Sequence, residues 1–504
     1  MNSPRRLRLY TIAHAVVVSS RGVCLMLVLR KWKWFVIRFL PVVSLVFCAC
    51  LVPKSGLAQG ANDYPIPSNA REAHSAIREG FAAPLEPRDG LKGPRQYVDP
   101  RNARLEAQRR NRWPNAPAFF RDTELTVHSR TYWFDEDPFG LNKPRALATG
   151  GWLTYQSGYL ADLFQLRSVL YTSQPLYANA FGGETELLSS DGDQLTTLGQ
   201  INGRLKLAGQ ELTGGRMLVR TPYINPFDIR MVPLTFEGIT LMPEDRGPDQ
   251  PFDYMVSYLT RFKPLNETSF IPFSKALGVT QDEGILTTGV SYHSNLLNVG
   301  IANYWIKDTL NTAYGEVDFL VPVGLDDDAA SLRFGATVLD QRTVGARLIA
   351  DAPYKTYQAS VRLIGSYAGF VLTLAGSETG DEASIQQPFG FGTSYTSMIL
   401  SDFQQAGVRG ATLSLSYDFG MIGLEGVKAL VAWGRGQGTS HAANDGFRDQ
   451  EEFDYRLVYE PERGRLVGLR LELEYIDWRV PGLDLPSEDL DQFRAIVNYK
   501  LPLL

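Results

Sequence analysis

Several segments of the chain place charged side chains at every second position, with apolar side chains between them. Positions two apart lie on one face of a β-strand, so these charges share a face. A packed protein core does not tolerate unpaired charges, whereas a water-filled interior does. Guanidinium groups spaced along such an interior offer an anion weak, repeated binding sites and let it move on. The charged positions of this kind are Arg204, Lys206, Arg362, Arg456, Arg470, Glu472 and Glu474.

The sequence has no motif typical of a catalytic or metal site. HExxH, GxSxG and phosphate-loop patterns are absent, and the glycine cluster at 434–438 is best interpreted as a strand end or a loop. The sequence therefore predicts no enzymatic activity, no cofactor and no bound metal. The histidines are scattered without metal-ligand spacing: His14, His74, His128, His293 and His441.

The alternation of apolar and polar residues continues from Phe120 to the C-terminus. In 411–419, leucine, tyrosine and phenylalanine occupy the odd positions after the first, and serine, threonine and aspartate occupy the even ones. A soluble β-sandwich also alternates, but it would not hold full charges on its inner face. Aromatic residues near the strand ends are typical of membrane interfaces. The pattern predicts an all-β fold, a transmembrane antiparallel up-and-down β-barrel.

The length of residues 120–504 sets the size of this barrel. A strand of about 10 residues, with short turns at one end and longer loops at the other, uses roughly 40 to 45 residues per hairpin. The segment therefore holds about 18 strands. Side chains alone cannot fill a lumen of that width, so the barrel is either a channel or plugged.

The N-terminal 119 residues have a different composition. All three cysteines lie in the first 50 residues, where a basic stretch, an apolar run and small residues before Gln59 follow the order of a secretory signal peptide. We predict a signal peptide over residues 1–58. It shortens to 26–58 if translation starts at Met26. A retained membrane anchor is the alternative. Residues 59–119 are rich in proline and arginine and predict a largely irregular periplasmic tail.

The charge balance excludes one class of partner. Residues 1–58 hold nine Lys or Arg and no acidic residue, so the remainder carries 41 basic and 55 acidic residues. A chain of this net negative charge is not expected to bind nucleic acid.

The order and spacing of several short pieces resemble the OprD-type substrate-specific porins of the outer membrane. The likeness runs from about Phe120 to Leu504. It implies a monomeric 18-stranded barrel in the Gram-negative outer membrane that passively takes up small carboxylates, amino acids or aromatic acids. An outer-membrane barrel enzyme and a surface attachment protein remain as alternatives. The matching pieces lie at 130–134, 151–159, 203–206, 227–238, 402–403, 417–426 and 493–504.

The same resemblance implies a constriction. An infolded loop narrows the lumen of these porins, and residues 216–238 match it. A row of basic side chains then passes a carboxylate downward, facing an acidic patch. Each arginine taken alone is better interpreted as an ordinary wall residue than as a member of this row, except Arg230, whose Asp-x-Arg context matches. The basic candidates are Arg204, Lys206, Arg230, Arg261 and Arg362, with Arg216 and Arg220 as extras, and the acidic ones are Asp228, Asp381 and Asp402.

Overall fold

The structure is a computed structural model. It describes residues 114–138, 143–244, 251–294, 296–323, 330–349, 355–438, 449–461, 463–480 and 489–504. The predicted signal peptide and all but the last six residues of the predicted tail lie outside the described residues and stay predictions.

The described residues form one antiparallel sheet of 19 strands. Eighteen strands are long, and the two-residue β8 is an addition to the edge of β7. The strands are β1 Glu124–Pro138, β2 Arg145–Gln156, β3 Phe164–Ala178, β4 Leu195–Leu207, β5 Gln210–Met217, β6 Thr235–Pro243, β7 Phe252–Lys263, β8 Ile271–Pro272, β9 Ile285–His293, β10 Leu297–Ile306, β11 Leu310–Val323, β12 Ala330–Thr343, β13 Lys355–Tyr367, β14 Phe370–Thr379, β15 Val408–Asp418, β16 Val427–Gly438, β17 Gln450–Tyr459, β18 Leu469–Arg479 and β19 Leu490–Pro502.

The sheet closes on itself. Strand β1 pairs with β2 on one side and with β19 on the other, in a register that runs from Thr126 opposite Pro502 to Pro138 opposite Leu490. Closure satisfies the backbone groups that an open sheet edge would leave unpaired in lipid. The predicted all-β barrel of about 18 strands is confirmed.

Helical structure is sparse in the described part of the chain. It consists of the α-helix Ala118–Arg121 and the 3-10 turns Gly182–Thr185, Phe273–Leu277 and Phe419–Ile422. None of these segments has the length and apolar character that a membrane-crossing helix needs.

The two faces of the strands follow the predicted alternation. On β15, Leu413 and Leu415 are 40% and 47% exposed on the outside, whereas Ser416 is 6% exposed and faces the lumen. On β17, Arg456 is buried inside between the outward Tyr455 and Leu457. Large apolar side chains on the outer surface need hydrocarbon as their solvent, so the outer face is the lipid face.

The two ends of the barrel differ. At the end where β1 begins and β19 finishes, here the terminal end, the two-residue turns 208–209 and 368–369 connect neighbouring strands. Both residues of each turn have positive φ, as a tight hairpin turn requires. At the opposite end, here the loop end, the longer connections 179–194, 218–234, 264–284 and 380–407 leave the wall.

The assignment of the lipid face gives a testable prediction. We expect Leu413→Arg to lower the free energy of unfolding in lipid by about 2–4 kcal/mol, because it places a guanidinium group in hydrocarbon near the middle of β15. Ser414→Arg, the next residue along, points into the lumen and is the matched control. Urea titration of the protein folded into vesicles measures the difference, and equal losses for the two variants would contradict the assignment.

Candidate functional site

The segment 218–234 leaves the wall between β5 and β6 and folds into the lumen. This segment is here called the constriction loop. The sequence placed the infolded loop at 216–238, but Arg216 and Met217 still belong to β5, and Thr235 to Gly238 already belong to β6. Within the loop, the Leu234 amide donates to the Pro226 carbonyl at 2.7 Å, which closes the loop at its base.

A second segment, 380–407, also enters the lumen and is here called the second loop. Its Phe389 carbonyl accepts from the Asn225 amide at 3.1 Å, and its Phe391 amide donates to Asn225 Oδ1 at 3.0 Å. The wall holds it through Glu452, which accepts from the amides of Leu400 and Ser401 at 2.8 Å each. The two loops therefore form one connected constriction. Nothing in the sequence had indicated the second loop.

An apolar cluster inside the barrel supports this constriction. The rings of Phe262 and Phe273 from the wall side pack against Phe389 of the second loop, with centroids 5.4 Å and 4.8 Å from it. Tyr223 of the constriction loop contacts Phe389 at 5.9 Å. Burial of these rings stabilises the positions of both loops, so the pore outline is part of the packed structure.

Arg130 of β1 fixes the tip of the constriction loop. Its Nη1 and Nη2 donate to the two carboxylate oxygens of Asp228 at 2.6 Å and 3.1 Å. Nη1 also donates to the Arg230 carbonyl, and Nε donates to Asn498 of β19 at 2.8 Å. A bidentate guanidinium–carboxylate pair fixes distance and orientation together. Asp228, predicted as part of an acidic patch, thus acts here as the anchor of the loop.

Arg230 and Arg494 both lie near the ring of Phe134. The Arg230 guanidinium carbon is 5.2 Å from the ring centroid and that of Arg494 is 5.8 Å from it. Arg230 is only 10% exposed, and Glu186 Oε2 is 3.3 Å from its Nε. Burial, and after it the charge of Arg494, lower the pKa of Arg230. Two cations are therefore held close enough for one to lower the pKa of the other in a poorly solvated place, which favours an anion beside them.

Arg456 continues the row of basic side chains from β19 onto β17. Glu474 links the two strands, because it accepts from Arg456 Nε at 2.8 Å and from Arg494 Nη1 at 3.3 Å. Arg494 Nε donates to Gln492 at 2.6 Å. We call Arg130, Arg230, Arg456 and Arg494 the arginine face. It comprises side chains of β17, β19 and β1, with β18 lying between β17 and β19, together with the constriction loop.

Arg204 and Lys206 face the lumen as predicted, but they lie near the terminal end of β4. Each forms an ion pair with a different glutamate nearby. Arg204 Nε is 3.8 Å from Glu211, and Lys206 Nζ donates to Glu244 at 2.7 Å. The Lys206 ammonium also lies 4.4 Å from the ring centroid of Tyr159.

Arg261 does not face the lumen, and the prediction for it is wrong. The register of β6 and β7 shifts at Thr260, so Glu237 pairs with Arg261 while Gly238 pairs with Leu259. The extra residue is a β-bulge, which reverses the facing of everything beyond it. Arg261 is exposed on the outer side with Glu237. Arg216, opposite Glu237 in the register, lies on the same outer side.

Arg362 faces the lumen from β13. Its Nη2 donates to both oxygens of Asp318 at 3.0 Å and 3.1 Å, and its guanidinium carbon lies 4.0 Å from the ring centroid of Tyr395. Tyr395, from the second loop, donates to Asp318 at 3.3 Å. Arg362 therefore helps to hold the second loop, and in strand order it belongs to the wall across the barrel from β1.

Asp402 of the second loop is buried beside Glu452 of β17. Burial raises the pKa of Asp402 to about 7, and the Glu452 carboxylate adds to the rise. The remaining acidic candidate, Asp381, is exposed at the start of the same loop.

The raised pKa of Asp402 predicts that the second loop is held less firmly at high pH. Because its pKa in the seated loop lies above the ordinary aspartate value, seating is strongest near pH 4 and weakens as the pH rises to about 7. We expect Asp402→Asn to remove this dependence and to protect residues 380–407 at pH 8. Amide hydrogen exchange, corrected for intrinsic exchange rates, measures the protection of residues 380–407 as a function of pH, and Asp381→Asn is the control. A wild-type pH response in the Asp402→Asn variant would refute the assignment.

A buried serine, histidine and aspartate also meet on the wall. Ser291 Oγ is 2.8 Å from His293 Nε2, and Asp253 Oδ2 is 3.4 Å from the same nitrogen. In a hydrolase triad the nucleophile and the acid contact opposite nitrogens of the ring, so this geometry is not that of a triad. Among the described residues no group of three or more His, Cys, Asp or Glu side chains is arranged to hold a metal ion.

Three members of the arginine face, Arg130, Arg456 and Arg494, were not among the predicted pore residues, although the sequence carried a signal for them. Arg494 lies between the outward Phe493 and Ala495, and Arg130 lies in the first strand, so alternation places both inside. What alternation could not show is that these residues meet Arg230, which is 100 and 264 positions away in the chain.

Several solved porins share the fold of this barrel. OpdK from Pseudomonas aeruginosa, solved with vanillate, has a TM-score of 0.66 and 21% identity, with 76% of this chain and 100% of OpdK covered. A BenF-like porin from Pseudomonas fluorescens Pf-5 has a TM-score of 0.68 and 18% identity, with 76% and 100% covered. OccAB1 from Acinetobacter baumannii has a TM-score of 0.67 and 17% identity, with 77% and 99% covered.

At these identities the likeness establishes the fold. No curated protein matches the sequence significantly. The profile of the family described as outer membrane porin, OprD family, matches residues 117–503, which span the whole barrel. The chain therefore belongs to the OprD family of outer membrane porins.

Proposed function

We propose that this chain selects small carboxylate-bearing solutes for passive uptake and that the arginine face is the selective element. As an OprD-family porin it is a channel for small solutes in the Gram-negative outer membrane. The solute would pass the constriction loop with its carboxylate directed toward β17, β19 and β1. A single barrel would be the functional unit, because each closed barrel has its own lumen.

The observation that carries this proposal is a pair of buried donors. Arg230 Nε is 3.3 Å from Glu186 but is not aligned with it as a hydrogen bond, and neither this nitrogen nor Arg494 Nη2 has a hydrogen-bond partner among the described residues. A buried guanidinium N–H without an acceptor costs free energy, and a carboxylate is the acceptor whose geometry and charge fit it best. The neighbouring carboxylates Glu186 and Glu474 keep the site from being strongly cationic, so an anion would bind weakly and leave again.

A second observation also supports a carboxylate as the solute. OpdK, whose fold this chain shares, was solved with vanillate, an aromatic carboxylate. An enzyme on the barrel wall gains no support from the buried Ser291 and His293 contact. A surface attachment protein would need no constriction, whereas this lumen holds two loops joined by several hydrogen bonds.

Reversal potentials in planar bilayers test the proposal. With potassium acetate on one side and potassium chloride on the other, we expect acetate to permeate at least as well as chloride, although acetate is the larger and slower ion in water. Benzenesulfonate, an anion without a carboxylate, is the comparison. A permeability order set by ion size alone would contradict carboxylate selection.

A further inference from the structure

A row of charged side chains lies on the outer face of β5, β6 and β7, near the loop end. Arg216 is directly opposite Glu237 in the register of β5 and β6, and Glu237 is directly opposite Arg261 in that of β6 and β7. Adjacent strands lie about 5 Å apart, so the backbones of the two arginines are roughly 10 Å apart. We call these three residues the outer charged row. It carries one net positive charge and faces away from the lumen.

The β-bulge at Thr260 brings Arg261 into this row. Without the extra residue, the alternation along β7 would direct Arg261 into the lumen. Thr260 is itself exposed, and its hydroxyl donates to the Glu237 carbonyl at 3.1 Å. The bulge therefore gives the outer face a guanidinium group and a hydroxyl group side by side.

Arg261 differs from other outward arginines at the loop end because it has no carboxylate partner. It is exposed, and within the part of the chain that the structure describes its guanidinium group forms no ion pair and no hydrogen bond. All five of its N–H donors are available to an acceptor from outside the chain. The outward ion pairs elsewhere at this end include Arg145 with Asp135, Arg342 with Asp340, Arg409 with Glu378 and Arg435 with Asp449.

Arg216 is neutralised only in part. Its Nε donates to Glu237 Oε2 at 2.9 Å, and its guanidinium carbon lies 4.2 Å from the ring centroid of Phe270. The ring orients the plane of the guanidinium group, and the Nη groups can still donate. Two guanidinium groups on either side of one carboxylate favour an anion with several oxygens. Phosphate is such an anion, and guanidinium groups bind it in a bidentate way.

The height of the outer charged row matches the edge of the membrane. At the terminal end the outward ring of Phe252 packs against Tyr292, with centroids 5.1 Å apart, as in an interfacial aromatic girdle. The nine residues along β7 from Phe252 to Arg261 cover roughly 30 Å. A strand tilt of about 40° reduces this to roughly 23 Å across the membrane, close to the apolar band of about 25 Å in such barrels. The row therefore lies at the level of the lipid headgroups.

Apolar surface continues below the row, toward the terminal end. Ile239 and Tyr258, which are paired in the next outward row, are 56% and 51% exposed. Gly214 lies opposite Ile239 and leaves a depression, since a side chain there would meet nothing within 4 Å. On the other side the ring of Phe164 covers Gly203 and borders the depression. An acyl chain in this depression would place its headgroup at the outer charged row.

We propose that the outer charged row binds the phosphate of a glycolipid headgroup in the outer leaflet, with an acyl chain of the same molecule in the depression at Gly214. The loop end of an outer-membrane porin faces the exterior, where phosphate-bearing glycolipids form the leaflet. Arg261 donates to the phosphate from one side and Arg216 from the other, while Glu237 holds Arg216 in place. The site lies outside the pore, so it is independent of the proposed solute selectivity.

Native mass spectrometry of the protein in detergent tests the site. We expect lipid A that carries both phosphates to bind at least tenfold more tightly than lipid A from which the phosphates have been removed. Arg261→Gln is expected to weaken binding of the phosphorylated form about fivefold and to leave binding of the dephosphorylated form unchanged. Inorganic phosphate should not displace the lipid, because it has no acyl chain to bury.

Arg342→Gln is the matched control and should bind as the wild type does. Arg342 is also an exposed, outward arginine at the loop end, but it is paired with Asp340 on its own strand. Equal affinity for the two forms of lipid A would overturn the proposal. Wild-type affinity in the Arg261→Gln variant, shown to be a folded barrel by its heat-dependent gel migration, would also overturn it. Displacement of the lipid by inorganic phosphate would refute the assignment to a lipid.

Discussion

Arg130→Ala is expected to enlarge the single-channel conductance and to abolish discrimination between carboxylates and chloride. The substitution removes both hydrogen bonds to Asp228 and the bond to the Arg230 carbonyl, so the tip of the constriction loop loses its anchor on β1. It also removes the bidentate partner of the partly buried Asp228 carboxylate. The loss of one member of such a pair typically costs about 3–5 kcal/mol, which is enough to displace the loop.

Planar bilayer recordings of Arg130→Ala measure this effect directly. Lys206→Ala is the control, because Lys206 also faces the lumen and is paired, but with Glu244 and at the terminal end. A double-mutant cycle with Asp228→Ala separates the anchor from other roles of Arg130. If the effects of the two substitutions on conductance are additive, the Arg130–Asp228 pair does not hold the loop, and the account of the constriction is wrong.

The double variant Arg230→Gln with Arg494→Gln is expected to reduce the acetate-to-chloride permeability ratio about tenfold. Each glutamine keeps a hydrogen-bond donor near Phe134 but removes a charge, so the buried donors lose their preference for a carboxylate. Anchoring through Arg130 and Asp228 is untouched, so the conductance in chloride should change far less than the ratio does.

Arg465→Gln serves as the control for this double variant, since Arg465 is exposed in the connection between β17 and β18. The single substitution Arg494→Gln should lower the acetate-to-chloride permeability ratio less than the double variant does. An unchanged permeability ratio in the double variant would remove both residues from the selective element and would leave the arginine face as a structural network.

Much of the barrel could be predicted from the sequence because the membrane imposes a strict rule on it. In the middle of β15 and β17 the outward side chains meet lipid and the inward ones meet water or a loop, so position in the strand is enough to predict which way Leu413 and Arg456 face. Arg261 shows where the rule stops. One inserted residue at Thr260 reverses the facing beyond it, and the amino-acid types around it do not reveal the bulge.

The interior could be predicted only in part. The resemblance of 216–238 to an infolded loop located the constriction to within a few residues. The partners of that loop were not predictable, because Arg130 and Asp228 are 98 residues apart in the sequence and meet only when the barrel closes. The second loop has no periodicity to detect, and its position depends on packing between Phe389, Phe262 and Phe273.

Single-channel conductance of the wild-type protein, recorded as the acetate concentration is raised, tests the central claim most directly. If carboxylates bind at the arginine face while they cross, resolved conductance steps appear and the conductance levels off at high acetate. In potassium chloride the levelling should be weaker. Conductance that rises linearly with acetate concentration, or a reconstituted barrel that gives no steps at all, would contradict the account.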